Sequence, residues 1–209
     1  MIFFEDDRLD AIADELVAKG YLIINNALPE SLLWGLLKHF NELHEDEFKA
    51  AGIGRRSGFQ QEAEIRSDNI HWITATTETT AEFLRWMESL RVGINRRLFM
   101  GVSDYECHFA HYPVGAFYKK HVDAFRAHTS GHTNTNRVLS TVLYLNQTWQ
   151  RDNGGELVVY AEGDEQVLEK VLPEFGRLVI FLSEKFPHEV LPANRERKSI
   201  AGWFRVNEG

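Results

Sequence analysis

From Tyr105 onward the sequence breaks into short segments rich in β-branched and aromatic residues, at 105–112, 117–122, 137–146, 156–160, 167–172, 177–182, 187–191 and 199–206. Turn signals separate them: Pro113-Val114-Gly115, Asn153-Gly154-Gly155, Glu162-Gly163-Asp164 and Pro173-Glu174-Phe175-Gly176. This is the spacing of strands joined by tight turns. The preceding half has a helical texture. Leu9, Ile12, Ala13, Leu16 and Val17 form an apolar stripe stopped by Gly20. Tyr21–Ile24 reads as a strand. Pro29 opens a second helix, to about His44, on which Leu32, Leu33, Leu36, Leu37, Phe40 and Leu43 recur at helical spacing. Residues 46–68 are polar and loop-like, and Ile70 to Ile73 reads as a short strand. Thr79 or Thr80 is expected to cap a third helix that buries Phe83, Leu84, Met87, Leu90, Ile94 and Leu98. Strands following helices predict an α+β fold: a double-stranded β-helix (jelly-roll) core over 105–206, backed by N-terminal helices, in a single domain.

On this frame one constellation carries chemistry. His121-Val122-Asp123 lies on an extended segment, where side chains i and i+2 share a face. A distant second histidine, His188, would complete a 2-His-1-carboxylate face, a set that binds non-haem Fe(II) and leaves coordination positions open. Arg197, nine residues beyond His188, offers a bidentate partner for a carboxylate. Together these residues imply an iron oxygenase with a small dicarboxylate cosubstrate. The triplet is not unique, because His44-Glu45-Asp46 repeats it. That copy closes a helix, where i and i+2 do not face each other, so His44 and Asp46 are expected to be solvated. His128 and His132 compete as ligands, but they sit in a polar stretch, 126–136, whose composition suits a flexible loop.

Bulk properties narrow the function classes. With 209 residues, five Trp and 14 Phe, the chain can build a sizeable core. Its net charge is −8 and no Lys/Arg block interrupts it, which disfavours nonspecific nucleic-acid binding. A rim of Lys119, Lys120, Arg126 and Arg137 near the proposed metal site is equally compatible with a solvated surface and with a local basic groove. No apolar run approaches a membrane span, and the N-terminus lacks the features of a signal peptide. The lone Cys107 excludes a Cys-rich zinc site and an internal disulfide. A reducing, cytoplasmic location and a buried, inert thiol are expected.

Residues 105–206 resemble the Fe(II)- and 2-oxoglutarate-dependent prolyl 4-hydroxylases, and within them the hypoxia-factor prolyl hydroxylase branch and its bacterial relatives. The resemblance rests on Tyr112-Pro113, His121-Val122-Asp123, Arg137 with Tyr144-Leu145-Asn146, Gly154-Gly155-Glu156-Leu157, Pro187-His188-Glu189-Val190, Arg197 and Trp203. Upstream, Arg66-Ser67-Asp68-Asn69-Ile70-His71-Trp72-Ile73 is similar to a stretch that leads a mobile substrate loop in that branch. The loop between Asp123 and Arg137 is longer here than is usual there.

The resemblance implies roles for these residues. His121, Asp123 and His188 would hold iron, and Arg197 and Tyr144 would bind the distal carboxylate of 2-oxoglutarate. Tyr112 would lie near both, and Ser140, on the Tyr144 face by parity, could assist. Tyr144 is otherwise an ordinary strand aromatic. Arg195 and Lys198 are neighbouring rivals of Arg197, but Lys198 should point to the opposite face. Arg66, Asp68, Arg137 and Trp203 would lie on the substrate side; Arg66 and Asp68 could instead be a surface ion pair, and Trp203 core packing. Gly154-Gly155 reads as a turn, since no helix follows to make a phosphate site. The implied cosubstrates are 2-oxoglutarate and dioxygen, with ascorbate as a candidate auxiliary. The implied activity is C4 hydroxylation of a prolyl residue in a protein, with release of succinate and carbon dioxide. Bacterial relatives suggest a translation factor as partner. Two alternatives stand beside it: the same chemistry on a non-protein small molecule, and a non-catalytic jelly-roll binding or sensing protein.

Overall fold

A computed structural model describes residues 4–51, 65–124 and 137–207. The stretch expected as a long loop at 126–136, with His128 and His132, lies outside the described residues. Three α-helices come first: α1 (Asp6–Ala18), α2 (Glu30–Glu42) and α3 (Glu78–Leu98). Between them run β1 (Tyr21–Ile24), β2 (Lys49–Ala50) and β3 (Asn69–Trp72). The strand-rich half supplies β4 (Val102–Tyr112), β5 (Tyr118–His121), β6 (Arg137–Tyr144) and β7 (Leu157–Tyr160). It ends with β8 (Val167–Val171), β9 (Leu178–Leu182), β10 (His188–Val190) and β11 (Arg197–Val206). Each of the eight expected segments coincides with one of these strands, β4 and β11 starting three and two residues earlier than expected.

The strands form two antiparallel sheets, a large one ordered β1-β9-β6-β11-β4-β3-β2 and a small one ordered β5-β10-β7-β8. Period-two alternation gives the large sheet two different faces. Phe109, Leu139, Leu143, Ile180, Ile200 and Phe204 turn toward the helices and pack with Leu36, Phe40, Phe83 and Leu90. Ala110, Tyr112, Tyr144, Val179 and Phe181 turn the other way and meet Leu157, Val159 and Val190 of the small sheet. Both faces of the large sheet are therefore buried, and each fully buried Leu, Ile or Phe contributes roughly 1.5–3 kcal/mol. This is the jelly-roll sandwich backed by helices that the sequence pattern predicts. No described helix is long and apolar enough to cross a membrane.

Local details differ from the expectations. The cap of α3 is Thr77, not Thr79 or Thr80: the Thr80 amide donates to Thr77 Oγ1 at 3.2 Å and the Thr77 amide to Thr80 Oγ1 at 3.1 Å. In a run of threonines, the residue that can exchange bonds with its N3 neighbour becomes the cap. Val17 is 73% exposed rather than part of the buried stripe of α1, which is held by Leu9, Ile12, Ala13 and Leu16. The 3₁₀ turn Glu45–Glu47 and β2 occupy part of the segment read as loop. His44 and Asp46 are exposed, as expected.

Cys107 is 1% exposed on the helix-facing side, and burial pushes its thiol far above the usual range. Opposite it in β11 is Gly202, where an added Cβ would overlap the Tyr105 hydroxyl and crowd the Cys107 Cβ. Gly202→Ala should therefore overpack the large sheet and cost about 1–3 kcal/mol, read as a lower urea midpoint at unchanged m-value.

Candidate metal centre

The small sheet brings the metal-type ligands together. His188 on β10 is the direct cross-strand partner of His121 on β5, and Asp123 follows two residues later. Ligand atoms of the three lie within 4.8 Å of one another. His121 Nε2 is 3.5 Å from Asp123 Oδ1, and His188 Nε2 is 3.7 Å from Oδ2. Each imidazole is oriented by its other nitrogen. His121 Nδ1 is 2.8 Å from the Lys119 carbonyl, and His188 Nδ1 is 3.0 Å from the Phe186 carbonyl. A carbonyl can only accept, so each Nδ1 carries a proton, and Nε2 is the ring atom turned toward Asp123. Among the described residues this is the one group of three such side chains placed to hold a metal ion.

Electrostatics suit the same use. Burial, with His121 beside it, pushes His188 down to about 4, so its ring is neutral at pH 7. Burial would raise the Asp123 carboxyl, but the neighbouring histidines and the Ser140 hydroxyl hold it well below the usual range. A neutral imidazole and an ionised carboxylate are the states that a divalent cation requires. The His121 ring stacks on Tyr118 with centroids 3.6 Å apart, and Phe181 meets His188 edge-on at 4.8 Å. Two imidazoles, one carboxylate and room for further ligands fit Fe(II).

A second polar group lies in the same inter-sheet interior. Arg197 is 1% exposed and Tyr144 is fully buried. Register places them together: Arg197 pairs with Tyr112 of β4, and Ser199 with Tyr144 of β6, so all four side chains face the small sheet. Arg197 Nε donates to the Gly155 carbonyl at 3.0 Å, and its guanidinium lies 4.8 Å from the Tyr112 ring centroid and 5.1 Å from that of Tyr144. The Tyr144 hydroxyl and Arg197 Nη2 are both buried without a hydrogen-bond partner. Among the described residues no carboxylate pairs with Arg197. A lone buried guanidinium is costly, so the site calls for an anionic ligand. A 2-oxoglutarate carboxylate fits the two orphaned donors. Lys198 points to the helix side and donates to Asn41 at 2.8 Å, while Arg195 is half-buried against Trp149. Gly154 and Gly155 both have positive φ, and a Cβ on Gly155 would crowd Ala193 and Trp149 and just touch the Arg197 side chain.

The remaining candidates fall into two groups. Arg66 forks onto Asp68 at 2.8 and 2.7 Å, with the Asp68 side chain wholly buried; this is an interior ion pair, not a surface one. The Arg66 guanidinium also covers the Tyr118 ring at 4.2 Å, so it backs the residue that stacks on His121. Arg137 covers the Trp203 ring at 3.6 Å and donates to Glu106 at 2.9 Å. The Trp203 and Ser140 side chains both bond to Asp123 rather than standing free toward a substrate or cosubstrate. Arg66 and Arg137 are thus each paired with a carboxylate, while Arg126 of the expected rim lies outside the described residues.

Sequence reasoning passed over Tyr118 and His108. Tyr118 stands three residues before His121, a spacing that carried no signal of its own. His108 is buried between Trp72 and Trp203, at centroid distances of 5.2 and 5.5 Å. Burial pushes it from 6.5 down to about 4. Between those values the unfolded chain binds a proton that the folded one does not. His108 therefore lowers stability by up to about 3 kcal/mol as pH falls from 6.5 to 4. His108→Phe should remove that share of the acid sensitivity, while His188 retains its own. Urea midpoints of both proteins at neutral and acidic pH test this; parallel curves would reject it.

Comparisons with known proteins agree with this geometry. Residues 107–205 match the model of the 2OG-Fe(II) oxygenase superfamily. A prolyl-4-hydroxylase structure from Pseudomonas putida aligns at 39% identity and TM-score 0.83, covering 96% of this chain and 100% of that one. A prolyl hydroxylase from Trichoplax adhaerens, in complex with a hypoxia inducible factor oxygen degradation domain peptide fragment, aligns at 28% identity and TM-score 0.82, over 96% of this chain and 90% of that one. A hypoxia-inducible factor prolyl hydroxylase of Caenorhabditis elegans is 26% identical over 94% of this chain, which spans 28% of that protein's length. A chain that carries the His-Asp-His cluster and the buried arginine on this sandwich, with these relatives, belongs to the 2OG-Fe(II) oxygenase superfamily, among its prolyl-4-hydroxylase-like members, enzymes that work with Fe(II), 2-oxoglutarate and dioxygen.

Proposed function

We propose that the protein hydroxylates C4 of a prolyl residue within a protein or peptide chain, consuming 2-oxoglutarate and dioxygen and releasing succinate and carbon dioxide. The observation that carries the cosubstrate assignment is Arg197, a buried guanidinium with no carboxylate partner among the described residues, in the interior that also holds the metal-type cluster. The prolyl substrate rests on likeness to the Pseudomonas and Trichoplax enzymes, the latter bound to a peptide.

In this reading His121 and His188 supply Nε2 and Asp123 a carboxylate oxygen to Fe(II). When bound, Fe(II) with 2-oxoglutarate and dioxygen supplies the oxidising power that puts a hydroxyl on an unactivated carbon. The chain's own part is positional. Arg197 and Tyr144 fix the far carboxylate of 2-oxoglutarate, and the Tyr112 ring lines the guanidinium. Phe181 and the aliphatic side chains between the sheets keep water from the reacting end. Arg66 steadies Tyr118 behind His121 and connects the segment after residue 64 to the metal ligand. Arg137 stands at the edge of the same face, placed to border a bound peptide. No side chain is needed as a general base.

His121→Ala and Asp123→Ala should each abolish stoichiometric metal binding and succinate formation without unfolding the protein. The same change at His44 or Asp46 should be nearly silent, because both are exposed and remote in sequence from the small sheet. Metal content and succinate yield decide between the two pairs.

Arg197→Ala should raise the 2-oxoglutarate requirement on the order of a hundredfold or more, since losing one partner of a buried charge pair costs roughly 3–5 kcal/mol. Lys198→Ala should have little effect. Titration of 2-oxoglutarate against both variants tests the assignment; a larger defect in Lys198→Ala would overturn it.

The substrate class is tested separately. Mass spectrometry of proteins trapped on the metal-loaded enzyme should find hydroxyproline in a bound chain, with translation factors as first candidates. Turnover with a free amino acid, lipid or nucleobase, and none with proline-containing peptides, would replace the proposed substrate while leaving the oxygenase assignment intact.

A further inference from the structure

Asp123 Oδ2 accepts two hydrogen bonds. The Ser140 hydroxyl donates to it at 2.6 Å and the Trp203 indole Nε1 at 2.9 Å. Neither donor is free to leave. Ser140 is 1% exposed and is backed by Ser183, itself fully buried, with the two hydroxyl oxygens 2.9 Å apart. Trp203 is 9% exposed; Arg137 covers its ring at 3.6 Å, and His108 packs at 5.5 Å. An ionised carboxylate has about two lone-pair directions on each oxygen. Both on Oδ2 are taken by protein donors, and Oδ1 is left with its own.

We infer that Ser140 and Trp203 are positioning residues that hold Asp123 monodentate, so that only Oδ1 is offered to the metal. The consequence is a count of positions. With a six-coordinate Fe(II) bound, two imidazoles and one carboxylate oxygen would take three positions, and 2-oxoglutarate, as a chelator, would take two more. One position remains. A carboxylate free to turn and bind through both oxygens would fill it. The two donors therefore protect the last open position rather than the strength of metal binding. Trp203 on β11 and Ser140 on β6 are cross-strand partners in the register of the large sheet, which brings both donors to one oxygen. The inference rests on the assignment of His121, Asp123 and His188 as ligands.

The test separates metal affinity from the open position. Wild type, Ser140→Ala, Ser140→Thr, Trp203→Phe and the double variant Ser140→Ala/Trp203→Phe are loaded without oxygen. Co(II) affinity is measured by calorimetry. Nitric oxide, which needs one vacant position, is then titrated into the Fe(II)-loaded protein with 2-oxoglutarate present and followed by electron paramagnetic resonance. The expected result is Co(II) affinity within about threefold of wild type throughout, and nitric oxide affinity lowered at least about tenfold in the double variant. Ser140→Thr, which keeps the hydroxyl, should match wild type, and Trp203→Phe, which keeps a ring beneath Arg137, should fall between. Unchanged nitric oxide binding in the double variant overturns the inference. So does a loss of Co(II) affinity shared by all variants, Ser140→Thr included, since that assigns the residues to folding. A wild-type protein that binds no Co(II) removes the ligand assignment itself, and with it this inference.

Discussion

The antiparallel register of β11 between β4 and β6 is the constraint on which the site depends. Strand side chains alternate with period two, so a slip of one residue would exchange the two faces of the large sheet. Arg197 would then project among the helices and Lys198 into the sandwich. Ser199 and Trp203 would leave the metal side together. The register is held along a long ladder, from Arg197 opposite Tyr112 to Val206 opposite Val102. It is also held by chemistry that works on one face only. Gly202 gives room to Tyr105 on the helix side, while Trp203 bonds to Asp123 on the other. The same ladder that stabilises the fold thereby sets the polarity of its interior.

That interior is polar only in a narrow zone. Around the metal-type cluster and Arg197, the surfaces between the sheets are aliphatic or aromatic, and each polar atom that the protein can satisfy is satisfied. Both histidines have their outer nitrogens bonded to carbonyls, and Asp68 neutralises Arg66. The exceptions lie where ligands are expected: the Tyr144 hydroxyl and Arg197 Nη2. Unsatisfied buried donors are rare in folded proteins and point to what binds there. The site is therefore described as much by the bonds it lacks as by those it makes.

Much of this could be read in the chain, and the reasons are specific. The turn-punctuated segments gave every strand after Tyr105, because period two and Gly/Pro punctuation are local signals. The opposed directions of Arg197 and Lys198 followed from parity alone. The contrast between His121-Val122-Asp123 and His44-Glu45-Asp46 followed from strand against helix. What could not be read depends on contacts between distant residues. Trp203 and Asp123 are 80 positions apart, and nothing near either announces their bond. The burial of Arg66 with Asp68 depends on β3 and on the edge of the small sheet, so the pair could equally have been a surface bridge. The Thr77 cap was hidden among threonines that differ only in geometry.

One further property follows from where the single cysteine sits. A centre that handles dioxygen and a reducing metal can release reactive oxygen species, and a nearby thiolate would be their first protein target. Cys107 lies in β4 on the helix-facing side, with the large sheet between it and the His-Asp-His cluster. It is sealed from solvent and kept protonated by burial. The sheet that aligns the catalytic face thus also insulates the chain's only thiol, leaving the fold without a sulfhydryl through which its own chemistry could inactivate it.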